Sequence, residues 1–313
     1  MKHLDIVIPC YNEESCVESI FFAIETALAG ITELTFSVIY VDDGSKDKTL
    51  KVIKRLEKSK GSERVKYISF SRNFGKESAI FAGVSNSRGD AVVLMDADHQ
   101  DPPSLLPEML KGLEDGYDCV AAQRTDRKGE PPIRSWFANK FYRLMNKFSD
   151  VKMNPGARDY RMMTGQMRDA LLQMPERERF SKGLFAWVGF KIKWLETSNI
   201  PRAAGVTKWS FWGLFKYAID GIIAFTTAPL KIATMIGLFT VFTAVLYGIY
   251  RIIRWDIFLI DSVLIFLILF FSGIIITLLG VIGEYIARIY LEIKGRPIYI
   301  AKETNIINER NQV

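Results

Sequence analysis

Asp96 and Asp98 close the apolar run Ala91–Met95. A strand buried on both faces carries no charge along its length, so the two acids mark its carboxyl end. Alternation along an extended chain puts residues i and i+2 on the same side, so both carboxylates can converge on one hard cation. The pattern recurs where Val38–Val41 runs into Asp42-Asp43-Gly44-Ser45. There Gly44 permits a tight turn into a helix whose first N–H groups suit phosphate or ribose oxygens. A third polar set, Pro9-Cys10-Tyr11-Asn12-Glu13, follows the first apolar run. Any one of these strand ends can serve merely as a helix cap. Three in succession are what the ligand-binding edge of an open α/β sheet requires.

The elements that must position these groups alternate along the chain. Leu4–Pro9, Phe36–Val41, Val65–Phe70 and Ala91–Met95 read as strands, and Asp118–Ala122 as a fifth. Glu13–Ala29, Asp47–Lys58 and Lys76–Ser87 read as helices charged on one face, the second opened by a Ser45/Asp47 capping signal. Strands alternating with helices predict βαβ crossovers and a mostly parallel sheet covered on both faces. Arg124–Arg134, with Gly129, Pro131 and Pro132, reads as a polar loop, and residues 135–148 as an aromatic-rich amphipathic helix.

Beyond residue 230 the composition changes. Ile232–Tyr250 and Ser262–Gly283 carry no charged residue, and either is long enough as a helix to cross a hydrocarbon core of about 30 Å. Tyr247, Tyr250 and Trp255 suit a water interface. Lys216, Lys231, Arg288, Lys294 and Arg296 flank the outer ends, which places both termini in the cytoplasm. Trp209–Ala224 reads as a helix lying in the interface plane. The expected division is a cytoplasmic domain over 1–208, an interfacial region over 209–230, a two-helix transmembrane hairpin over 231–287 and a cytoplasmic tail over 288–313. Gly237, Gly248, Gly273 and Gly280 allow close helix approach, within one hairpin or in a homo-oligomer.

Composition excludes other classes. Three cysteines without Cys-x-x-Cys spacing indicate neither a disulfide framework nor a zinc site, and two distant histidines make no histidine-based centre. No basic-then-apolar leader precedes the first strand. The net charge of +6 comes without a basic stripe interleaved with aromatics, so phosphates and an anionic membrane are expected partners rather than nucleic acid.

Ile8-Pro9-Cys10-Tyr11-Asn12-Glu13-Glu14, Val41-Asp42-Asp43-Gly44-Ser45 and Asp96-Ala97-Asp98-His99-Gln100-Asp101-Pro102-Pro103 resemble the inverting glycosyltransferases of family 2, with their GT-A fold. More narrowly the chain is similar to the polyprenyl-phosphate glycosyltransferases, which include dolichyl-phosphate mannose synthase and bacterial bactoprenyl glucosyltransferases. Ser71-Arg72-Asn73-Phe74-Gly75-Lys76-Glu77, Arg158-Asp159-Tyr160-Arg161, Pro201–Lys208 and Gly283-Glu284-Tyr285-Ile286-Ala287-Arg288 carry that narrower likeness.

The resemblance implies transfer of one hexose from a nucleotide sugar, UDP-glucose ahead of GDP-mannose, to polyprenyl (undecaprenyl) phosphate. Transfer would proceed with inversion at the cytoplasmic face of a bacterial inner membrane. Asp96, Asp98 and Gln100 match the site for Mg²⁺ or Mn²⁺ and the diphosphate, a task that hard oxygen ligands suit. His99 is expected to point elsewhere. Pro9, Tyr11, Glu13, Asp42 and Asp43 map onto the nucleoside pocket, and Lys76, Asp96, Arg202 and Lys208 onto the rest of the donor site. Asp159, with Asp98, falls at a catalytic position; it matches the base, but can equally orient Arg158 or Arg161. A phosphate monoester has a second pKa near ~6 and is mostly dianionic at neutral pH, so the site must chiefly hold two anions together. Arg124, Arg127 and Arg134 are the expected acceptor-phosphate ligands, and Trp187 is expected to pack. Two alternatives are a processive polysaccharide synthase and a membrane-anchored nucleotide-sugar-binding protein without turnover. Against the first, Gln173-Met174-Pro175-Glu176-Arg177 lacks the Gln-x-x-Arg-Trp arrangement that such synthases carry, and only two spans are expected.

Overall fold

Period-two burial organises the first two hundred residues. In the strand His3–Cys10 (β1), Leu4, Ile6 and Ile8 enter one core and Val7 the other; Thr35–Asp42 (β2) divides Val38 and Tyr40 from Ile39 and Val41 in the same way. The computed structural model describes residues 2–124, 154, 156–174, 176–177, 179–197 and 261–306, with single helical positions between 235 and 246. Helices Val17–Leu28 (α1), Thr49–Lys60 (α2) and Leu106–Glu114 (α4) cover the first face. Lys76–Asn86 (α3), Gly165–Leu172 (α5) and Ser181–Trp187 (α6) cover the second.

The remaining strands are Val65–Phe70 (β3), Ala91–Leu94 (β4), Cys119–Arg124 (β5), Ala157–Thr164 (β6), Ile192–Thr197 (β7) and Ala301–Thr304 (β8). They form one eight-stranded sheet in the order β7-β5-β6-β4-β1-β2-β3-β8. Pairing is parallel for β1 with β2 and β4, β2 with β3, and β5 with β7; β6 runs antiparallel to β4 and β5, and β8 antiparallel to β3. The order β3-β2-β1-β4 reverses between β1 and β4, which opens a crevice outside their carboxyl ends. Gly83 lets α3 press onto that centre: a Cβ there would lie 2.1 Å from Val7 Cγ1.

The mostly parallel α/β sheet agrees with the sequence reading, and three strands were not anticipated. β6 carries Arg158, Asp159 and Arg161, which break the apolar signature, and β7 and β8 are short and partly exposed. Element starts also differ. α1 begins at Val17 rather than Glu13, and α2 at Thr49 rather than Asp47, whose carboxylate receives the Thr49 N–H at 3.0 Å.

One helix among the described residues is long and apolar enough to cross a membrane. Asp261–Ile293 (α7) has 33 residues; it contains the charge-free stretch Ser262–Gly283, and its part Phe270–Ile293 is long and apolar enough to span. Phe270, Ile275, Ile276, Leu279 and Ile282 are exposed along it. The chain then returns to the sheet as β8: Tyr299 stacks on Phe70 with centroids 4.9 Å apart, and Ser71 N donates to Ile300 O. Ile232–Tyr250 lies outside the described residues save for single helical positions. The segments 135–148 and Trp209–Ala224 lie wholly outside them.

Candidate functional site

The polar groups gather at the carboxyl edge of β1, β2, β4 and β6. The loop after β1 is knitted to the loop after β2. Asn12 N donates to Ser45 Oγ (2.9 Å), Lys46 N to Asn12 Oδ1 (2.8 Å) and Glu13 N to Thr49 Oγ1 (2.8 Å). Asn12 adopts φ 54°, a left-handed conformation that asparagine tolerates. Gly44 has φ +65°, and a Cβ there would lie 2.5 Å from the Arg72 carbonyl carbon, so the turn that follows the paired acids requires glycine.

Those acids are themselves engaged. Asp42 accepts from Ser45 N (3.0 Å) and Ser69 Oγ (2.8 Å). Asp43 accepts from Phe74 N (2.6 Å) and Gly75 N (3.0 Å), so it orders the loop that feeds α3. Burial raises the Asp43 carboxyl above its ordinary range despite those bonds. Pro9 sits in β1 opposite Val41, and Tyr11 and Glu13 lie half-buried just beyond it.

The centre is a lysine between two carboxylates. Lys76 Nζ lies 2.8 Å from Asp96 Oδ1 and 2.9 Å from Asp159 Oδ2. Its position follows from the elements: Lys76 opens α3, Asp96 follows β4, and Asp159 lies on β6, which pairs with β4. Burial pushes Asp159 up, but Lys76, Lys182 and Arg161 together hold it well below the usual carboxylate range. Burial likewise opposes the Lys76 charge, and Asp159 and Asp96 more than offset it, holding its pKa well above the ordinary lysine value.

Around this centre the loop after β4 is fixed. Asp98 is buried and accepts from Gln100 N at 3.1 Å. Asp101 accepts from Asp96 N at 3.0 Å, and its Oδ1 faces Arg158 Nε at 3.3 Å without hydrogen-bond alignment. Burial and the charge of Asp96 push Asp101 up to about 7 against the pull of Arg158. Arg158 Nη1 donates to Gln100 O at 2.8 Å. His99 turns away, with φ 60° and Nε2 2.7 Å from Ser19 Oγ.

The residues expected to act together are thus partly united. Asp96, Asp159 and Lys76 meet, and Asp98, Gln100 and Asp42 share their edge. Neither arginine pairs with the Asp159 carboxylate: Arg158 faces Asp101, and the buried Arg161 donates to the Arg158 and Asp159 carbonyls while lying 3.7 Å over the Phe185 ring. Arg124 ends β5, its N–H donating to Gly156 O at 3.0 Å. Arg127, Arg134, Arg202 and Lys208 lie outside the described residues. Trp187 does not pack as expected; it is 60% exposed at the end of α6. Sequence reasoning missed Asp101 and Lys182, although Asp101 stood inside the quoted acidic motif.

A cation fits the Asp96/Asp98 edge on two counts. The donors are hard oxygens, and Asp96 already holds one cation, the Lys76 ammonium, which it shares with Asp159 rather than with Asp98. Among the described residues no group of three His, Cys, Asp or Glu side chains closes into a metal site, so a divalent ion there would draw further oxygens from a ligand.

Comparison with known proteins gives the class. Residues 5–171 match the glycosyl transferase family 2 profile, and residues 228–289 match the GtrB C-terminal hairpin. The putative glycosyltransferase CsbB of Bacillus subtilis is 42% identical over 98% of this chain and 93% of its own length. The bactoprenol glucosyl transferase of Shigella phage SfII is 36% identical over 96% of this chain and 98% of its own. Among solved structures, mannosyl-3-phosphoglycerate synthase from Rubrobacter xylanophilus superposes with a TM-score of 0.50 at 19% identity, covering 71% of this chain and 72% of that one, a likeness of fold alone. The protein is a glycosyltransferase with the Rossmann-like sheet of the GT-A fold. It belongs to glycosyl transferase family 2, and residues 228–289 match the GtrB C-terminal hairpin.

Proposed function

We propose that this enzyme transfers a single hexose from a nucleotide diphosphate sugar to polyprenyl phosphate, with inversion, at the cytoplasmic face of a bacterial inner membrane. UDP-glucose is the donor we favour and GDP-mannose the next. Undecaprenyl phosphate is the acceptor. The full-length likeness to proteins named bactoprenol glucosyl transferase supports the acceptor and the sugar. The observation that carries the reading is the return of the chain from the apolar helix α7 into the catalytic sheet as β8, which joins the acidic edge and the membrane-suited helix in one unit.

The same return supports a topology. Residues before 198 and residues after 300 lie in one sheet and therefore on one side of any bilayer, so the chain between them must cross an even number of times. If α7 is one crossing, another lies between residues 198 and 260, where Ile232–Tyr250 is the charge-free stretch. This supports a domain over 1–208, an interfacial region over 209–230, a hairpin over 231–287 and a cytoplasmic segment over 288–313.

In this reading Asp42, Asp43, Pro9, Tyr11 and Glu13 form the nucleoside pocket. Asp96 and Asp98, with Gln100, would hold Mg²⁺ or Mn²⁺. That ion supplies charge neutralisation for the departing diphosphate. Lys76 keeps Asp159 ionised and placed beside Asp96. Arg202 and Lys208 are assigned to binding the donor diphosphate, and Arg124, Arg127 and Arg134 to binding the acceptor phosphate. A phosphate oxygen of the acceptor attacks the anomeric carbon from the side opposite the diphosphate, which leaves with the bonding pair. The test is incubation of detergent-solubilised protein with Mg²⁺, undecaprenyl phosphate and a panel of labelled nucleotide sugars. Lipid-linked glucose is the expected product. Lipid-linked mannose would move the donor to GDP-mannose, polymer formation would indicate a processive synthase, and no lipid-linked sugar from any donor would refute the reading.

A further inference from the structure

The last turn of α7 is held by one side chain of the catalytic domain. Arg177 N donates to Glu292 Oε1 at 2.7 Å, and its guanidinium reaches Glu292 Oε2 at 3.1 Å, Glu292 O at 2.9 Å and Arg296 O at 2.6 Å. Helix ends leave carbonyls without intrahelical partners, and a cationic donor there also suits the helix dipole. The Arg177 and Glu292 side chains are 27% and 43% exposed, so the ion pair alone adds little stability. Its distinction is geometric: the planar guanidinium reaches a carboxylate and two carbonyls from two separate nitrogens, a spread that the point-like ammonium of lysine lacks.

Four residues further on, Ser181 opens α6 and donates through both its N–H and its hydroxyl to Glu77 Oε2. Glu77 is the neighbour of Lys76 in the first turn of α3, and Lys76 bridges Asp96 and Asp159. Three sets of side-chain contacts, joined only by the backbone between Arg177 and Ser181 and between Lys76 and Glu77, therefore lie between the end of the apolar helix and the centre of the acidic edge. Beyond its charge-free part α7 continues as a rod from Glu284 to Ile293, about 15 Å at roughly 1.5 Å per residue, and Arg177 grips its far end.

We infer that Arg177 is a positioning residue: by gripping the end of α7 and passing that anchor through Ser181 to Glu77, it sets the height and orientation of the Lys76–Asp159 pair above the bilayer. A polyprenyl phosphate held at headgroup depth then meets the donor in line. The inference rests on the membrane reading of α7 and on transfer to a lipid phosphate. A water-soluble acceptor diffuses to the site and needs no such registration.

The test compares undecaprenyl phosphate embedded in phospholipid nanodiscs with citronellyl phosphate, a short soluble isoprenyl phosphate, using UDP-glucose and Mg²⁺. Misplacement of about 1 Å costs up to roughly 100-fold in rate. Arg177→Gln should lower kcat/KM for the embedded acceptor by roughly 10- to 100-fold. It should leave the soluble acceptor and the calorimetric Kd for UDP within about twofold of wild type. Arg177→Lys keeps the charge, loses the fork and should fall between. A seven-residue helical insertion after Ala287 lengthens the rod by about 10 Å while nearly preserving its face. It should show the same split without touching Arg177. Equal loss with both acceptors in Arg177→Gln would make its role merely structural and overturn the inference, as would an insertion that leaves embedded transfer unchanged. Wild-type protein inactive on both acceptors with every donor overturns the underlying reading instead, and the inference with it.

Discussion

Removing the lysine at the centre of the site should destabilise the fold in a way that depends on pH. In Lys76→Gln the ammonium that lies 2.8 Å from Asp96 and 2.9 Å from Asp159 is lost, and two carboxylates face one another. At an effective dielectric near 20, each contact represents a gross attraction of about 6 kcal/mol. Most of that offsets desolvation. Lys76 and Asp96 are also 38% and 37% exposed, so water screens what is left. We set the net loss at about 2–3 kcal/mol at neutral pH. For a domain of this size that is a fall in Tm of roughly 4–12 °C. The sign with pH follows from the two shifts. The depressed Asp159 contributes stability above the ordinary carboxylate range and loses it as pH falls through its folded value, while the raised Lys76 contributes fully through neutrality and is lost only far into base. Without Lys76 the Asp159 carboxyl loses a contact that holds it ionised and protonates more readily, so the gap to wild type should be wider at about pH 7.5 than at about pH 4. Melts of the solubilised protein at both pH values measure it. Lys76→Gln/Asp159→Asn should recover part of the loss, because the unpaired carboxylate is gone. An equal loss at both pH values, or a double variant no better than the single one, would refute the reasoning.

Asp98→Asn, which removes one of two carboxylates at the strand end, should lower turnover by at least about 100-fold with little change in Tm; unchanged turnover in the radiolabel assay removes Asp98 from the site. Asp5, fully buried at the start of β1, accepts from Ser37 Oγ, Arg88 N (2.5 Å) and Gly89 N (2.6 Å). Burial pushes its pKa up, and these bonds with Lys66 bring it below the ordinary range, so its stabilisation holds at neutral pH and fades as pH falls. Asp5→Asn should therefore lose about 2–4 kcal/mol in urea melts at neutral pH and less at about pH 4. Gly83→Ala drives a methyl onto Val7 and should destabilise by about 1–3 kcal/mol, read as a lower urea midpoint with unchanged slope.

What the sequence disclosed and what it concealed divide by range. Parallel strands buried on both faces write themselves as apolar runs, so β1 to β4, and the acids after β1, β2 and β4, stood out. β6 did not, because it is a strand whose exposed end carries the site: Arg158 and Asp159 are half-buried, whereas the following Tyr160 to Met163 are buried. Lys76 and Asp159 are 83 positions apart, and Arg177 and Glu292 are 115 apart. No local period reports such pairs; the sheet order brings them together. The alternative that Asp159 orients an arginine meets the same limit: neither Arg158 nor Arg161 forms an ion pair with it, although the Arg161 charge helps hold its pKa down. Strand alternation puts Arg158 and Tyr160 on the side opposite Asp159, so Arg158 turns to Asp101 while Lys76 arrives on α3 from the other layer.

That pairing bears on what Asp159 does. A carboxylate held below its ordinary range by an adjacent ammonium is a weaker base than a free one, because taking a proton would forfeit the Lys76 contact. General-base catalysis works best when the pKa lies near the operating pH, and Asp159 has been moved the opposite way. An acceptor that is a phosphate monoester is mostly dianionic at neutral pH and brings its own nucleophilic oxygen. With such an acceptor the site has no proton to remove. Its difficulty is the approach of a dianion to a diphosphate, both beside Asp96, Asp98 and Asp159. Lys76 answers that difficulty if its ammonium leaves the carboxylates for an incoming phosphate, and Asp159 then serves to hold the cation in readiness. With the phosphate acceptor proposed above, a depressed carboxylate is the expected arrangement, in which placing charge replaces moving a proton.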